Sequence, residues 1–257
     1  GRDRQGGPAD PPDAGLGVAV TGERSLSFGE QAAAYERGRP SYPPESINWL
    51  LPTGAADVLD LGAGTGKLTV RLAERGLTVT AVDPIPEMLE VLSGSLPSVP
   101  ALLGTAEEIP LPDNSVDAVL VAQAWHWFDP ERAAAEVARV LRPGGRLGLV
   151  WNIRDERLGW VKELNRIIGP EHDPSADSLC GGFTDIETHR IEWTSYLTPQ
   201  ALLDLVASRS YCITSPADVR RKVLGEVREL LNTHPALANS TGLALPYVTH
   251  CVRATLA

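Results

Sequence analysis

The run Val58-Leu-Asp-Leu61 ends directly in Gly62-Ala-Gly-Thr-Gly66; Lys67 to Arg75 follows with helical spacing, and Thr78-Val-Thr-Ala-Val82 is a second β-rich run. A short apolar strand, a glycine turn, a helix and another strand make a βαβ unit, which fixes the two strands as parallel neighbours with the helix packed on the sheet. The alternation then continues. Glu87 to Leu92 reads as a helix, Ala101-Leu-Leu103 as a brief strand, Val116 to Ala122 as a strongly apolar strand, and Pro130 to Leu141 as a helix. Pro143-Gly-Gly145 stops that helix before the strand Arg146 to Trp151. Such a pattern implies a mostly parallel sheet covered by helices on both faces.

Outside this stretch the pattern is less regular. Gly1 to about Arg24 is rich in Gly, Pro and Asp without an apolar period, and is expected to be a flexible or extended arm. Phe28 to Tyr35 reads as a short helix broken by Arg37-Gly-Arg-Pro-Ser-Tyr-Pro-Pro44, with a second helix from Glu45 to Leu51. Beyond Asn152 the expectation is a helix at Leu158 to Ile168, a polar loop from Pro170 to Gly182 and a strand at Thr188 to Thr194. Helices at Pro199 to Ser208 and Ala217 to Leu231 then precede a last strand at Tyr247 to Ala254.

Charge limits what the chain can bind. The formal net charge of −10 over 257 residues opposes polyanions, because nucleic-acid binding draws much of its affinity from Lys and Arg meeting phosphates. No apolar run approaches the roughly 20 residues needed to cross a bilayer, and no basic segment leads an apolar stretch at the amino end, so a cytoplasmic protein is expected. Cys180, Cys212 and Cys251 are odd in number and widely spaced, which fits neither a disulfide framework nor a zinc site. Glu171-His-Asp173 has metal-ligand residue types without a partner motif, so a solvated loop and no metal are expected. The Ala, Arg, Gly and Pro usage suggests a bacterial source.

In open α/β sheets, ligands sit beyond the carboxyl ends of the strands. At the first strand end, the glycines permit a tight turn and let a ligand lie on the backbone. The second strand ends at Asp83, 21 positions after Gly62, close to the roughly 20-residue offset at which an acid meets a ribose diol. Together these suit an adenosine-type ligand. A nicotinamide dinucleotide needs a small third residue in G-x-G-x-x-G/A, where this chain has Lys67 or Thr69 depending on register. A phosphate-binding G-x-x-x-x-G-K-[ST] loop fails because Leu68 follows Lys67 and position 61 is leucine.

With Val58 to Gly66, Ala81-Val-Asp-Pro84, Gly104-Thr-Ala-Glu-Glu-Ile-Pro-Leu-Pro112 and Val140-Leu-Arg-Pro-Gly-Gly145 in this order, the chain resembles the class I S-adenosyl-methionine-dependent methyltransferases from about residue 25 to 257. Tyr35-Glu-Arg-Gly-Arg-Pro-Ser-Tyr-Pro43 and Gln123-Ala-Trp-His-Trp-Phe-Asp129 are similar to the subgroup containing trans-aconitate methyltransferase-like proteins. The expected fold class is therefore α/β, a Rossmann-like doubly wound sheet, mostly parallel with an antiparallel last strand. Residues 25–257 would form one domain: lid or cap helices over 25–56, a cofactor-binding half over 57–151 and a substrate-side half over 152–257.

The resemblance also implies roles. Gly62, Gly64 and Gly66 would let the methionine part of S-adenosyl-methionine approach the backbone, and Asp83 would accept hydrogen bonds from its ribose. Ala106 and Glu107 would hold the adenine edge, Met88 could pack on its face, and Gln123 would meet the amino-acid end. Met88 could equally be a core filler, and Asp60 either a ligand or a structural acid bonding the turn. His126, just past the fourth strand, is the candidate general base, with packing between Trp125 and Trp127 as the alternative. Trp125, Trp127 and Phe128 could wall an apolar acceptor pocket, hold a cation or belong to the core. Tyr35 and Tyr42 lie on a segment that closes over the cofactor in similar enzymes, or pack on the sheet. Arg39, Arg154 and Arg157 are candidates for recognising a carboxylate. The expected activity is methylation of a small organic acceptor on O or N, possibly a carboxylate; a non-catalytic cofactor-binding or regulatory protein and a methyltransferase acting on protein or RNA are the alternatives.

Overall fold

The computed structural model describes residues 40–171, 182–209 and 215–257. The arm at 1–24, the helix expected at Phe28 to Tyr35, the site candidates Tyr35 and Arg39, Cys180 and Cys212 lie outside the described residues. Helix α1 (Pro44–Leu50) leads into strand β1 (Asp57–Leu61), α2 (Lys67–Ala73), β2 (Thr78–Asp83), α3 (Pro86–Ser95), β3 (Ala101–Leu103) and β4 (Val116–Ala122). A 3₁₀ turn (Trp125–Trp127), α4 (Pro130–Val140) and β5 (Leu141–Arg154) complete the regular half. Then come α5 (Gly159–Ile168), β6 (Phe183–Leu197), α6 (Pro199–Ala207), α7 (Ala217–Thr233) and β7 (Leu243–Leu256).

Among the described residues, seven strands form one sheet in the order β3-β2-β1-β4-β5-β7-β6. The pairs β1–β2, β1–β4, β2–β3 and β4–β5 are parallel, whereas β7 runs antiparallel to both β5 and β6. The chain order reverses between β1 and β4, so the carboxyl ends of these strands open a crevice at the switch point. Residue alternation divides the core. Leu59, Val119, Val121, Leu147 and Leu149 face α4, while Val58, Ala118, Leu120 and Val150 face Ile47 and Leu50 of α1 and Leu68 and Leu72 of α2. A separate cluster packs α5, α6 and α7 on Leu245 and Tyr247 of β7.

Strand β5 starts earlier than the sequence suggests. Val116 pairs with Leu141 and Ala118 with Arg146, two steps on β4 against five on β5, so three residues of the Arg142–Gly145 segment bulge out before regular pairing resumes. Among the described residues, no helix is long and apolar enough to cross a membrane. Cys251 is buried, and desolvation pushes its thiol up to about 12, which leaves it as an inert core group.

Candidate cofactor and acceptor site

The turn after β1 is tied to the end of β2: the N–H groups of Gly62 and Ala63 both donate to the Val82 carbonyl, at 2.8 and 3.1 Å. Gly62, Gly64 and Gly66 have φ of 72°, 55° and 94°, in the left-handed region that disfavours side chains. At Gly62 space adds a second demand, since a β-carbon would lie 2.8 Å from Cβ of Ala124 and 3.3 Å from Cζ of Phe128. This glycine lets the β1 turn pass directly beneath the segment leaving β4.

Asp83 ends β2 almost buried, at 6% exposure. Its Oδ2 accepts from the Gly64 N–H at 2.8 Å and its Oδ1 from the Ile85 N–H at 2.9 Å. Burial pushes this carboxyl above the usual carboxylate range, and the two amide bonds pull it partly back. A carboxylate has about four lone-pair sites, so each oxygen keeps capacity for a ribose hydroxyl. One acid thus braces the glycine turn and retains acceptors for a ligand.

Asp60 lies on β1 facing α2, where Oγ1 of Thr69 donates to its Oδ2 at 2.6 Å. Its Oδ1 is buried and finds no partner among the described residues. Desolvation, opposed by the Thr69 bond and reinforced by the charge of Asp83, raises its carboxyl to about 7. A buried acid with an orphan oxygen, two residues before the turn, fits a ligand that brings positive charge.

The sign of the pH effect follows. Because the folded value stands above the unfolded 3.8, the stability is fully present below about 3.8 and is lost as pH rises to about 7, at a cost of at most about 4 kcal/mol. Asp60→Asn keeps the shape and removes the ionisation. Denaturant unfolding of the ligand-free proteins should therefore show the variant gaining on the wild type between about pH 4 and 7 and no further above it, and a constant difference across that range would contradict this origin.

A cleft beside the turn is lined by Gly62, Thr65, Lys67 and Gln123, and by Pro40 and Tyr42 from the segment before α1. Gln123, at φ 58°, is a strained non-glycine residue whose N–H donates to the Val150 carbonyl at 2.9 Å. Asp83, Met88, Ala106 and Glu107 lie on the β2–β3 side of the same strand ends. Met88 is half-buried on α3, and Ala106 is buried. Oε1 of Glu107 accepts from the Asp129 N–H at 2.9 Å, so the acid also anchors the start of α4.

His126 sits on the 3₁₀ turn after β4, half-buried, its ring 4.8 Å from that of Trp127. Trp127 is 71% exposed there, whereas Trp125 is buried in the core with its ring edge-on to Phe128. Of the two readings open for Trp125, pocket wall and core, its packing is that of the core, in the cluster between the sheet and α4. Arg154 also departs from expectation. Its side chain is fully buried and ion-paired with Glu171, Nε donates to Oδ1 of Asn165 at 2.5 Å, and Nη2 donates to the Gly169 carbonyl at 3.0 Å. A guanidinium so committed is not available to an acceptor carboxylate. Arg157 is likewise paired, with Asp155 and with Glu192 at 2.8 Å.

Sequence reasoning missed Thr65, Lys67 and Pro40 in the cleft and Asn152 behind it. The first two stood inside or next to the glycine motif and were legible as neighbours of the turn. Nothing local marked Asn152, whose position depends on strand pairing.

The family model described as a methyltransferase domain matches residues 59–149. An uncharacterized methyltransferase of Mycobacterium tuberculosis is 75% identical over 237 residues, covering 91% of this chain and 98% of that protein. A methyltransferase-like protein of Schizosaccharomyces pombe is 38% identical over 237 residues, covering 87% and 93% respectively. Among solved structures, a putative type II methyltransferase from Anaeromyxobacter dehalogenans matches with a TM-score of 0.63 and 27% identity, covering 84% of this chain and 97% of that one. With the glycine turn, the acid at the end of β2 and the reversed strand order in place, the chain belongs to the S-adenosyl-methionine-dependent methyltransferases.

Proposed function

We propose that this protein methylates a small organic acceptor on oxygen or nitrogen, beyond the carboxyl ends of β1 and β4. The observation that carries the reading is the narrow cleft between the glycine turn and the Pro40–Tyr42 roof, in a chain whose net charge of −10 disfavours RNA or DNA. S-adenosyl-methionine, bound there, supplies a methyl group on an already activated sulfonium. The protein's own work is then alignment, water exclusion and proton handling.

Gly62, Gly64 and Gly66 present backbone to the methionyl part, Asp83 offers its spare lone pairs to the ribose, and Met88, Ala106 and Glu107 border the adenine. Gln123 closes the amino-acid end, and the buried Asp60 favours the cationic charge. Pro40 and Tyr42 cover the cleft against water. His126 accepts the proton of a hydroxyl or ammonium acceptor at a ring nitrogen; a carboxylate acceptor needs no base. The subgroup resemblance to trans-aconitate methyltransferase-like proteins supports a small acid as one acceptor class to test first. A cytoplasmic setting fits such a substrate.

The test incubates the purified protein with methyl-labelled cofactor and a panel of small acids, alcohols and amines, with protein and RNA fractions alongside. Label in the small-molecule fraction is the expected result. Label confined to macromolecules, or tight cofactor binding with no transfer to any class, would overturn it. His126→Ala should lower turnover of a hydroxyl acceptor by about 100-fold or more with cofactor affinity within about twofold, and a wild-type rate would remove the base role.

A further inference from the structure

Behind the cleft runs a chain of hydrogen bonds that crosses three strands, its middle bond buried and its ends partly buried. The indole Nε1–H of Trp193 on β6 donates to Oγ1 of Thr249 on β7 at 2.7 Å, and Thr249 donates to Oδ1 of Asn152 on β5 at 2.6 Å. Nδ2 of Asn152 donates to the carbonyl of Ser41 at 3.3 Å. Thr249 and Asn152 are almost wholly buried, at 0% and 2% exposure. Ser41 lies between Pro40 and Tyr42, the two residues that roof the cleft.

The direction of this chain follows from its first member. An indole N–H can only donate, so Thr249 must accept from Trp193 and spend its single hydroxyl proton elsewhere. That proton goes to Asn152, which turns the amide oxygen toward Thr249 and leaves the NH₂ end facing Ser41. Reversing the Asn152 amide would set its oxygen against the Ser41 carbonyl, two acceptors with no proton between them, and would leave the Thr249 proton without this acceptor. The indole also stacks on Tyr247, with centroids 5.1 Å apart and planes 19° from parallel, which holds the first donor in place.

Asn152 also serves the opposite wall of the cleft. Its main-chain carbonyl accepts from Nε2 of Gln123 at 3.3 Å. Ser41 is held from a second side by Arg71 of α2, whose Nε donates to its Oγ at 2.7 Å.

We propose that Trp193, Thr249 and Asn152 form a one-way hydrogen-bond relay that holds the Pro40–Tyr42 roof against Gln123, making Thr249 and Trp193 positioning residues for cofactor retention although neither lines the cleft. The inference rests on placing the cofactor in this cleft. In a buried network, one lost member leaves its neighbours with unsatisfied polar groups, which free the roof to move.

The test compares Thr249→Val, which keeps the shape and loses the hydroxyl, with Thr249→Ser, which restores it. Trp193→Phe keeps a ring on Tyr247 and loses the donor. The readouts are the Kd and dissociation rate of S-adenosyl-homocysteine, taken well below each variant's melting temperature, together with that temperature. Thr249→Val should raise Kd about tenfold, mostly through faster dissociation; Trp193→Phe should raise it a few-fold, and Thr249→Ser should stay within about twofold of wild type. A Thr249→Val protein that melts lower yet binds with wild-type Kd and dissociation rate would overturn the relay and leave a purely structural network. Should Thr249→Val fail to fold, Trp193→Phe decides alone: an unchanged dissociation rate overturns the proposal. Failure of the wild-type protein to bind S-adenosyl-homocysteine would instead strike the cofactor placement on which the relay depends.

Discussion

Asp83→Ala should weaken binding of S-adenosyl-homocysteine by at least about 100-fold. The carboxylate accepts two backbone N–H groups, from Gly64 and Ile85, and bonds to charged acceptors are worth about 1.5–3 kcal/mol each. Removing it releases the turn proposed to carry the cofactor's backbone contacts and deletes the acceptors proposed for the ribose, so two losses fall on one ligand. The sequence alone suggests only the second loss. Asp83→Asn keeps the shape but has one acceptor oxygen where the acid has two, so it should retain one amide bond and bind with intermediate affinity. Calorimetric titration on variants with native circular dichroism is the measurement. Affinity within threefold of wild type for Asp83→Ala would remove the acid from the site.

Why Asp83 was legible and Asn152 was not is a matter of range. The β1 turn, the helix after it and the acid at the end of β2 lie within about 25 residues, and their spacing follows from the geometry of one βαβ unit. The later strands were legible as elements because Val, Leu and Thr runs mark them, yet β6 and β7 extend well beyond the expected Thr188–Thr194 and Tyr247–Ala254, to Phe183–Leu197 and Leu243–Leu256. Long antiparallel pairing sustains residues such as Glu187 and Glu192 that have weak strand preference alone. The partners Asn152, Thr249 and Trp193 meet only through that register, which no local pattern specifies.

The same limit applies at Trp125 and Arg154. An aromatic or an arginine just past a strand end has the right residue type for a pocket, but its direction is set by packing. Trp125 points into the core between β4 and α4, and Trp127, two residues on, is the exposed ring. The polar run from Pro170 to Gly182 suggested a solvated loop, whereas at its described start Glu171 folds back onto Arg154. The Arg154 N–H donates to Oε2 of Glu171 at 2.8 Å, while the guanidinium holds the other oxygen.

Arg154→Met should accordingly destabilise the protein by about 3–5 kcal/mol, because it leaves the mostly buried Glu171 carboxylate without its main cation and strips Asn165 and Gly169 of a donor. Arg209 sits 3.4 Å from Glu171 and offsets only part of the loss. For a chain of this length each kcal/mol is worth roughly 2–4 °C, so melting should fall by roughly 10 °C or more. Arg154→Met combined with Glu171→Leu should recover much of that drop, since a buried pair replaced by apolar groups of similar volume costs far less than one broken on a single side. An arginine serving acceptor recognition would behave in the opposite way: Arg154→Met would melt within a few degrees of wild type, KM for an acidic acceptor would rise, and the second substitution would bring no recovery. Thermal unfolding of the two variants separates the roles before any acceptor is known.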